Sequence, residues 1–586
     1  MKKTILAIGF LWTFVALSQT DQDLINVANG ESQKAVKLQD FQANENTAYY
    51  DLLSHRLELE LDPEKHYIKG EVTTEFRVLE NTDTIVFDLY DNLEVSSVTG
   101  NDEKPLQFIH ENNELSILFT NDLCETATHT LTIAYEGTPN KNTSGDGFVT
   151  TKTRNNIPSL YTLSEPYGSS EWWPCKQDLN DKIDQIDVII TAPAAYKAVS
   201  NGMVISETQE GALMTTHWQH NYPIPTYLIG IAVTEYEVFS QTIERNGHSF
   251  DIVNYVYPES KDKAEEYTEV TVEIMNLFQD LFGEYPYKDE KYGHAEFEYG
   301  GGMEHSTISF MGNFSRSLIA HELAHQWFGN KVTCESWNHI WLNEGFATYL
   351  SGLVERHFDG EEDFINWKRG KIADITTSRA GSVYIQDEKL ENVGRIFSSR
   401  LTYNKGAMVI HMLRQKLGDE VFFKAIRNYL NDEELAYGYA NTDQLQAHLE
   451  NTSGEDLQEF FSDWIYGQGY PSYDVAWYQA STNELNLTFN QTQSSKKVDF
   501  FEMNVPVLVV GAQGEEKYLT VDHTFNGQEF AISVDFEIAD IILDPKFDMI
   551  SKNNTIRIDI DAVAELEIQS SIDNTANKTS LVTVKK

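Results

Sequence analysis

From Asp51 onward the chain alternates between polar and apolar residues. His55-Arg56-Leu57-Glu58-Leu59-Glu60-Leu61 is followed by Ile68-Lys69-Gly70-Glu71-Val72, with turn residues between short runs as far as roughly Val238. Successive strand side chains point to opposite faces, so the alternation predicts a β-rich domain with one buried face and one wet face. Near Lys261 the period changes. Ala264 to Phe282 reads as one long helix with apolar residues at Val270, Val272, Ile274, Met275, Leu277 and Phe278, and helical segments dominate to about Tyr466. After Gly469-Tyr470-Pro471 short strands return at Leu485 to Phe489, Val505 to Val509 and Ile541 to Leu543, predicting a small β-sandwich.

The two ends depart from these patterns. Met1-Lys2-Lys3, an apolar run from Ile5 to Leu17 and the small-residue site Ala16-Leu17-Ser18 predict a secretory signal peptide over 1–18, hence export to a periplasm or beyond the cell. No cysteine adjoins the cleavage point and no other apolar run is long enough to span a bilayer, so no stable membrane anchor is expected. The predicted division is then a polar linker over 19–45, a β-domain over 46–240, a mixed helical domain over 241–469, a β-sandwich over 470–560 and a flexible tail over 561–586.

A chain of 586 residues exceeds what one core accommodates, which agrees with three folded units. A formal net charge of −47 argues against a nucleic-acid partner, because phosphate binding needs a basic surface. Cys124, Cys175 and Cys334 are odd in number, widely separated and without metal-ligand spacing; buried free thiols are expected, with one bridge left open.

Chemistry enters at His321-Glu322-Leu323-Ala324-His325, followed after eighteen intervening residues by Glu344. On a helix His321 and His325 share a face and can converge on one zinc ion, while Glu322 stands beside it. Asn343-Glu344-Gly345 reads as the start of a second helix able to supply a third ligand. Three protein ligands leave a position open for reacting water, whose proton Glu322 can take as general base. Upstream, His294 to Tyr299 alternates like a strand and runs into Gly300-Gly301-Gly302-Met303-Glu304-His305, where glycines allow a peptide backbone to approach a strand edge.

The zinc motif with its Trp327-Phe328-Gly329-Asn330 continuation, Trp341-Leu342-Asn343-Glu344-Gly345 and Gly301-Gly302-Met303-Glu304 together resemble the gluzincin aminopeptidases, the aminopeptidase N and leukotriene hydrolase group. The resemblance spans about residues 50 to 550. It implies a multidomain α+β fold: an N-terminal β saddle, a thermolysin-like α/β catalytic domain and a C-terminal β-sandwich. It further implies one zinc ion per chain, bound by His321, His325 and Glu344, with Glu322 as general base. Peptides with a free N-terminus are the implied partners. Glu304 would hold the substrate amine, Gly301, Gly302 and Met303 its backbone, and Tyr403 in Tyr403-Asn404-Lys405-Gly406-Ala407 the oxyanion. Glu165 in Thr162-Leu163-Ser164-Glu165-Pro166 matches a second amine-binding acid contributed by the N-terminal domain.

Three positions depart from the family pattern. His305 stands where asparagine is usual, leaving the shape of the first substrate pocket open and raising the idea of a fourth zinc ligand, which would close the position catalysis needs. Leu163 replaces a common glutamine. His339 follows the leukotriene hydrolase spelling and reads as a packing residue or a support to the ligands. Rival functions are an epoxide hydrolase like that branch, which relies on an aspartate where Arg395 stands, and a non-catalytic peptide-binding relative, which would be free to lose Glu322 and Tyr403.

Overall fold

A computed structural model describes residues 44–564 apart from 102, 142–146, 246 and 482. The expected signal peptide, nearly all of the linker and most of the expected tail lie outside the described residues.

The N-terminal β region carries a seven-stranded sheet in the order Met203–Glu210, Leu213–His220, Gln185–Pro193, Tyr50–Leu61, Ile68–Val78, Thr128–Gly137, Leu93–Thr99. Tyr50–Leu61 shows why alternation predicted it. Leu57, Leu59 and Leu61 are buried, while Arg56, Glu58 and Glu60 between them are exposed. A four-stranded sheet of Lys197–Ser200, Ile231–Thr234, Pro158–Thr162 and Phe148–Lys152 lies nearer the helical part and carries the Glu165 loop at its end.

The central unit is built on a five-stranded sheet ordered Glu237–Arg245, His248–Val256, Tyr292–Glu296, Ser309–Met311, Gly302–Met303. The expected β-domain boundary at 240 therefore falls inside a strand. The hairpin Glu237–Arg245/His248–Val256 alternates like the strands before it, but its pairing partner is Tyr292–Glu296, in parallel register from Ile252↔Tyr292 to Tyr255↔Ala295. Alternation reports that a strand exists and says nothing about which sheet it joins.

The single helix expected from Ala264 to Phe282 is two, Lys261–Thr268 and Val270–Phe282. Thr268 explains the interruption. Its hydroxyl donates back to the Ala264 carbonyl at 2.7 Å and accepts from Gln241 Nε2 at 3.1 Å, a side-chain alternative to regular helix bonding. The C-terminal β region consists of a four-stranded sheet (Gln528–Ser533, Glu484–Gln493, Pro471–Ser481, Thr555–Ile558) and a three-stranded one (Glu516–His523, Met503–Gly511, Ile538–Leu543). No helix among the described residues is long and apolar enough to cross a membrane.

All three cysteines are free. Cys175 and Cys334 are buried as expected, but Cys124 is exposed, because it follows the last residue of the strand Glu114–Leu123, where the chain turns outward.

Candidate zinc and peptide site

The motif helix Arg316–Ala324 starts at Ser315, whose hydroxyl accepts the Leu318 N–H at 3.4 Å, and every residue from Ser317 to Ala324 is buried. It has no wet face. With one helical turn between them, His321 and His325 bring their Nε2 atoms to 3.1 Å. The next long helix, Trp341–Asp359, presents Glu344 in its first turn, with Oε2 3.2 Å from His321 Nε2 and 3.5 Å from His325 Nε2. On the same helix Gly345 meets Gly406, the first residue of the helix Gly406–Leu417: a Cβ on Gly345 would lie 3.2 Å from the Gly406 Cα, so it is the Tyr403 turn that this glycine pair admits. Tyr403 sits just before Gly406 in the π-helical turn Ser399–Lys405, its ring stacked on His321 with centroids 6.0 Å apart and planes at 17°.

The other wall comes from strands and loops. Gly302–Met303 is the edge strand of the central sheet and leads directly into Glu304. The Glu304 carbonyl accepts from Asn330 Nδ2 at 2.6 Å and from Gln326 Nε2 at 3.4 Å, while Gln326 Oε1 receives the Thr307 N–H at 2.9 Å. Two residues that follow the zinc motif thus fasten the Glu304 segment to it. Glu165 arrives from the N-terminal region. Lys182 Nζ donates across the same boundary to the Asn330 carbonyl at 2.8 Å.

The ligand-type atoms of His321, His325 and Glu344 lie within 4.8 Å of one another, and so do those of Glu165, Glu304 and Glu344. All five residues are buried, and Glu344 belongs to both triads. Gly302 meets a nearer demand than substrate approach: a Cβ there would lie 2.2 Å from Glu322 Oε1. Any larger residue would displace that carboxylate.

The donor set suits a zinc ion. His325 Nδ1 lies 3.0 Å from the Phe328 carbonyl, which can only accept, so Nδ1 carries the proton and Nε2 faces Glu344 and His321. Among the described residues, Glu344 Oε1, both Glu322 oxygens and His321 Nδ1 have no hydrogen-bond partner although buried. The field asks for positive charge as well. Burial opposes a charged His325, yet Glu344 and Glu304 overcome it and raise its pKa to about 10. Burial likewise opposes ionised Glu344, and His325 and His321 outweigh it, holding that carboxyl at about 2. Burial pushes His321 down to about 4 and Glu322 well above the usual carboxylate range. Two nitrogens and a carboxylate converging in a dry pocket are a cation site, and their N/O chemistry matches zinc.

His305 is not part of either triad. Its Nδ1 donates to the Leu228 carbonyl at 3.2 Å and its ring stands edge-on to Phe310 at 4.5 Å. His339 packs against Tyr384 and meets Thr442 Oγ1 at 2.8 Å. Arg395 donates to the Ser382 and Val383 carbonyls at 2.6 and 3.2 Å, bracing a loop. Sequence reasoning quoted Asn330 but missed its role and that of Gln326. Their adjacency to the zinc motif was the only available signal.

The Peptidase family M1 domain model matches residues 266–464, and the Peptidase M1 N-terminal domain model matches residues 46–228. The chain belongs to peptidase family M1. It is 28% identical over 446 residues to Aminopeptidase M1-A of Oryza sativa subsp. japonica, a match covering 71% of this chain and 48% of that protein. It is 29% identical over 406 residues to glutamyl aminopeptidase of Sus scrofa, covering 64% of this chain and 42% of the relative. The chain thus spans about half the length of these curated relatives or less. An M1 zinc metallopeptidase of Deinococcus radiodurans shares the fold with a TM-score of 0.62 at 24% identity, over 71% of this chain and 94% of that one. A mutant of the same enzyme bound to a Tyr-Ser-Ala substrate matches equally well.

Proposed function

We propose that this protein is a zinc-dependent aminopeptidase that removes the N-terminal residue from peptides. The observation that carries the reading is the sharing of Glu344 between a zinc-type triad and a triad of carboxylates. In an amino acid the nitrogen and carbonyl carbon are separated by two bonds, roughly 2.5 Å. An acidic pocket adjoining the proposed zinc ligands is therefore suited to anchoring the ammonium group of the residue whose carbonyl reacts.

His321, His325 and Glu344 would hold one zinc ion per chain, and zinc when bound polarises the carbonyl and acidifies water. Glu322 takes the proton of the attacking water and returns it to the leaving amine. Tyr403 directs its hydroxyl at the developing oxyanion. Glu304 and Glu165 hold the substrate ammonium, while Gly301, Gly302 and Met303 line the path of its backbone. Arg395 occupies the position where the epoxide-hydrolase reading needs an aspartate. The basic start, short apolar run and small-residue site of 1–18 support export, with peptides outside the cytoplasm as substrates.

Release from an amino-acid anilide, compared with the same anilide acetylated on its amine, tests the reading. Turnover of the free-amine compound that stops with a chelator and returns with zinc is the expected result. Efficient cleavage of the acetylated compound, or of internal peptide bonds, would overturn it.

A further inference from the structure

The loop that carries Glu304 is fixed at both ends by the central sheet. Gly302 pairs with Met311 and Met303 with Phe310, so Glu304 is the first residue of the connection and the chain must reverse soon after it. The reversal is a turn in which the Ile308 N–H donates to the His305 carbonyl at 3.0 Å. Thr307 occupies the third position of that turn with φ at 68°, a left-handed conformation that turns give to glycine or asparagine and that a β-branched residue rarely takes. Such a conformation persists only where the surroundings enforce it.

Thr307 is buried and held from two sides. From the central unit, Gln326 Oε1 accepts its N–H at 2.9 Å and Lys291 Nζ donates to its carbonyl at 3.3 Å. From the N-terminal region, the Gly202 N–H donates to its hydroxyl at 2.8 Å, and Asn201 Nδ2 donates to the neighbouring Ser306 carbonyl at 2.8 Å. Asn201 and Gly202 directly follow the strand Lys197–Ser200. Ser200 lies opposite Ile231 and Tyr161 opposite Ala232, both pairings antiparallel, so the residues after Ser200 and those after Thr162 leave the four-stranded sheet at the same end. One sheet end therefore supplies both Glu165 and the contacts that hold the Glu304 turn.

We propose that Thr307 is a positioning residue for the substrate amine: its hydroxyl registers the Glu304 turn against the sheet end that delivers Glu165, and the spacing of the two acids is set through that contact. Glu165 and Glu304 belong to different regions, yet their ligand-type atoms lie within 4.8 Å, close enough to share one ammonium group. Without the Thr307 hydroxyl the buried Gly202 N–H loses its acceptor, and the regions lose a bond three residues from Glu304. His321, His325 and Glu344 stand on segments outside this turn, so the contact bears on the amine and not on the metal. This inference rests on the aminopeptidase reading.

The test is the affinity of the zinc-loaded protein for phenylalanine hydroxamate and for 3-phenylpropanohydroxamate, which lacks only the amine, measured by calorimetry on the unmodified chain, Thr307→Val and Thr307→Ser. Thr307→Val keeps the side chain's shape without its hydroxyl; it is expected to bind the amine-bearing compound about tenfold more weakly and the des-amino compound within about twofold of the unmodified chain. Thr307→Ser keeps the hydroxyl and should bind both compounds within about twofold. Lys291→Met, which loosens the same turn from its other side, should weaken only the amine-bearing compound, by about threefold, and decides the matter if Thr307→Val does not fold. In Thr307→Val or Lys291→Met, equal losses for both compounds or no loss for either would overturn the role of Thr307, as would a loss in Thr307→Ser as large as in Thr307→Val. If the unmodified chain shows no preference for the amine, the aminopeptidase reading itself fails and the inference falls with it.

Discussion

The two walls of the site are assembled by different means. The candidate zinc wall draws His321, His325 and Glu344 from two helices close in sequence, whose packing brings their ligand-type atoms within 3.5 Å. The amine wall takes Glu304 from the loop after an edge strand and Glu165 from another sheet. It depends on a chain of contacts, Lys182 to Asn330 to Glu304, that crosses from the N-terminal region to the zinc motif. A site made from local helices keeps its shape when distant parts of the protein shift. One made from two regions is only as exact as their docking. On the proposed function, chemistry falls to the local wall and the choice of substrate to the assembled one.

Changes that separate the walls should have unequal effects. The largest is expected from Glu322→Gln, which keeps the ligands and removes the proton acceptor: activity should fall by at least ~10²- to 10⁴-fold with zinc content unchanged. Loss of zinc in that variant, measured by metal analysis, would mean that Glu322 serves the metal wall differently. Tyr403→Phe should lower kcat by roughly 10²- to 10³-fold with little change in KM, and a change confined to KM would reassign it to binding. On the amine wall, Glu304→Ala should lower kcat/KM by at least about tenfold and Glu165→Ala by less, in both cases with zinc retained. Lys182→Met should act more weakly still, raising KM a few-fold for free-amine substrates by loosening the Asn330 loop. An effect on kcat alone would contradict its assignment to the docking contact.

The last comparison concerns stability instead of activity: whether the two regions unfold together. His55 lies in the N-terminal sheet and His294 in the central one; burial lowers each to about 3. Between about pH 6.5 and 3 the unfolded chain binds protons that the folded chain does not. Their contribution is therefore neutral above pH 6.5 and increasingly destabilising as pH falls, by up to about 1.4 kcal/mol per pH unit for each histidine. Urea unfolding at pH 6.5 and 5 should show one transition losing stability from both. His55→Gln should remove the part of that slope that His55 supplies, up to about 1.4 kcal/mol per pH unit. Two transitions, only one of which responds to His55→Gln, would show that the regions are thermodynamically separate.

Much of this was legible in the chain. The alternation from Asp51, the change of period near Lys261 and the return of strands after Pro471 follow from local geometry, because burial of one face repeats every two residues in a strand and every three to four in a helix. The approach of His321 to His325 was legible for the same reason, since a four-residue spacing on a helix is already a distance in space. Glu165 was visible only through its family motif. Gln326 and Asn330 stood in view without a role.

What the tertiary structure alone decided is the set of contacts between parts of the chain that no local rule relates. It joined the hairpin from Glu237 to the central sheet rather than to the strands that precede it, gave Gly302 the task of admitting Glu322, and placed Glu165 within 4.8 Å of an acid 139 residues further along. Backbone periodicity is set by bonds between neighbours and can be read from neighbours. The meeting of Glu165, Glu304 and Glu344 is set by how whole sheets and helices pack, and that is determined only when the entire chain has buried its apolar surface.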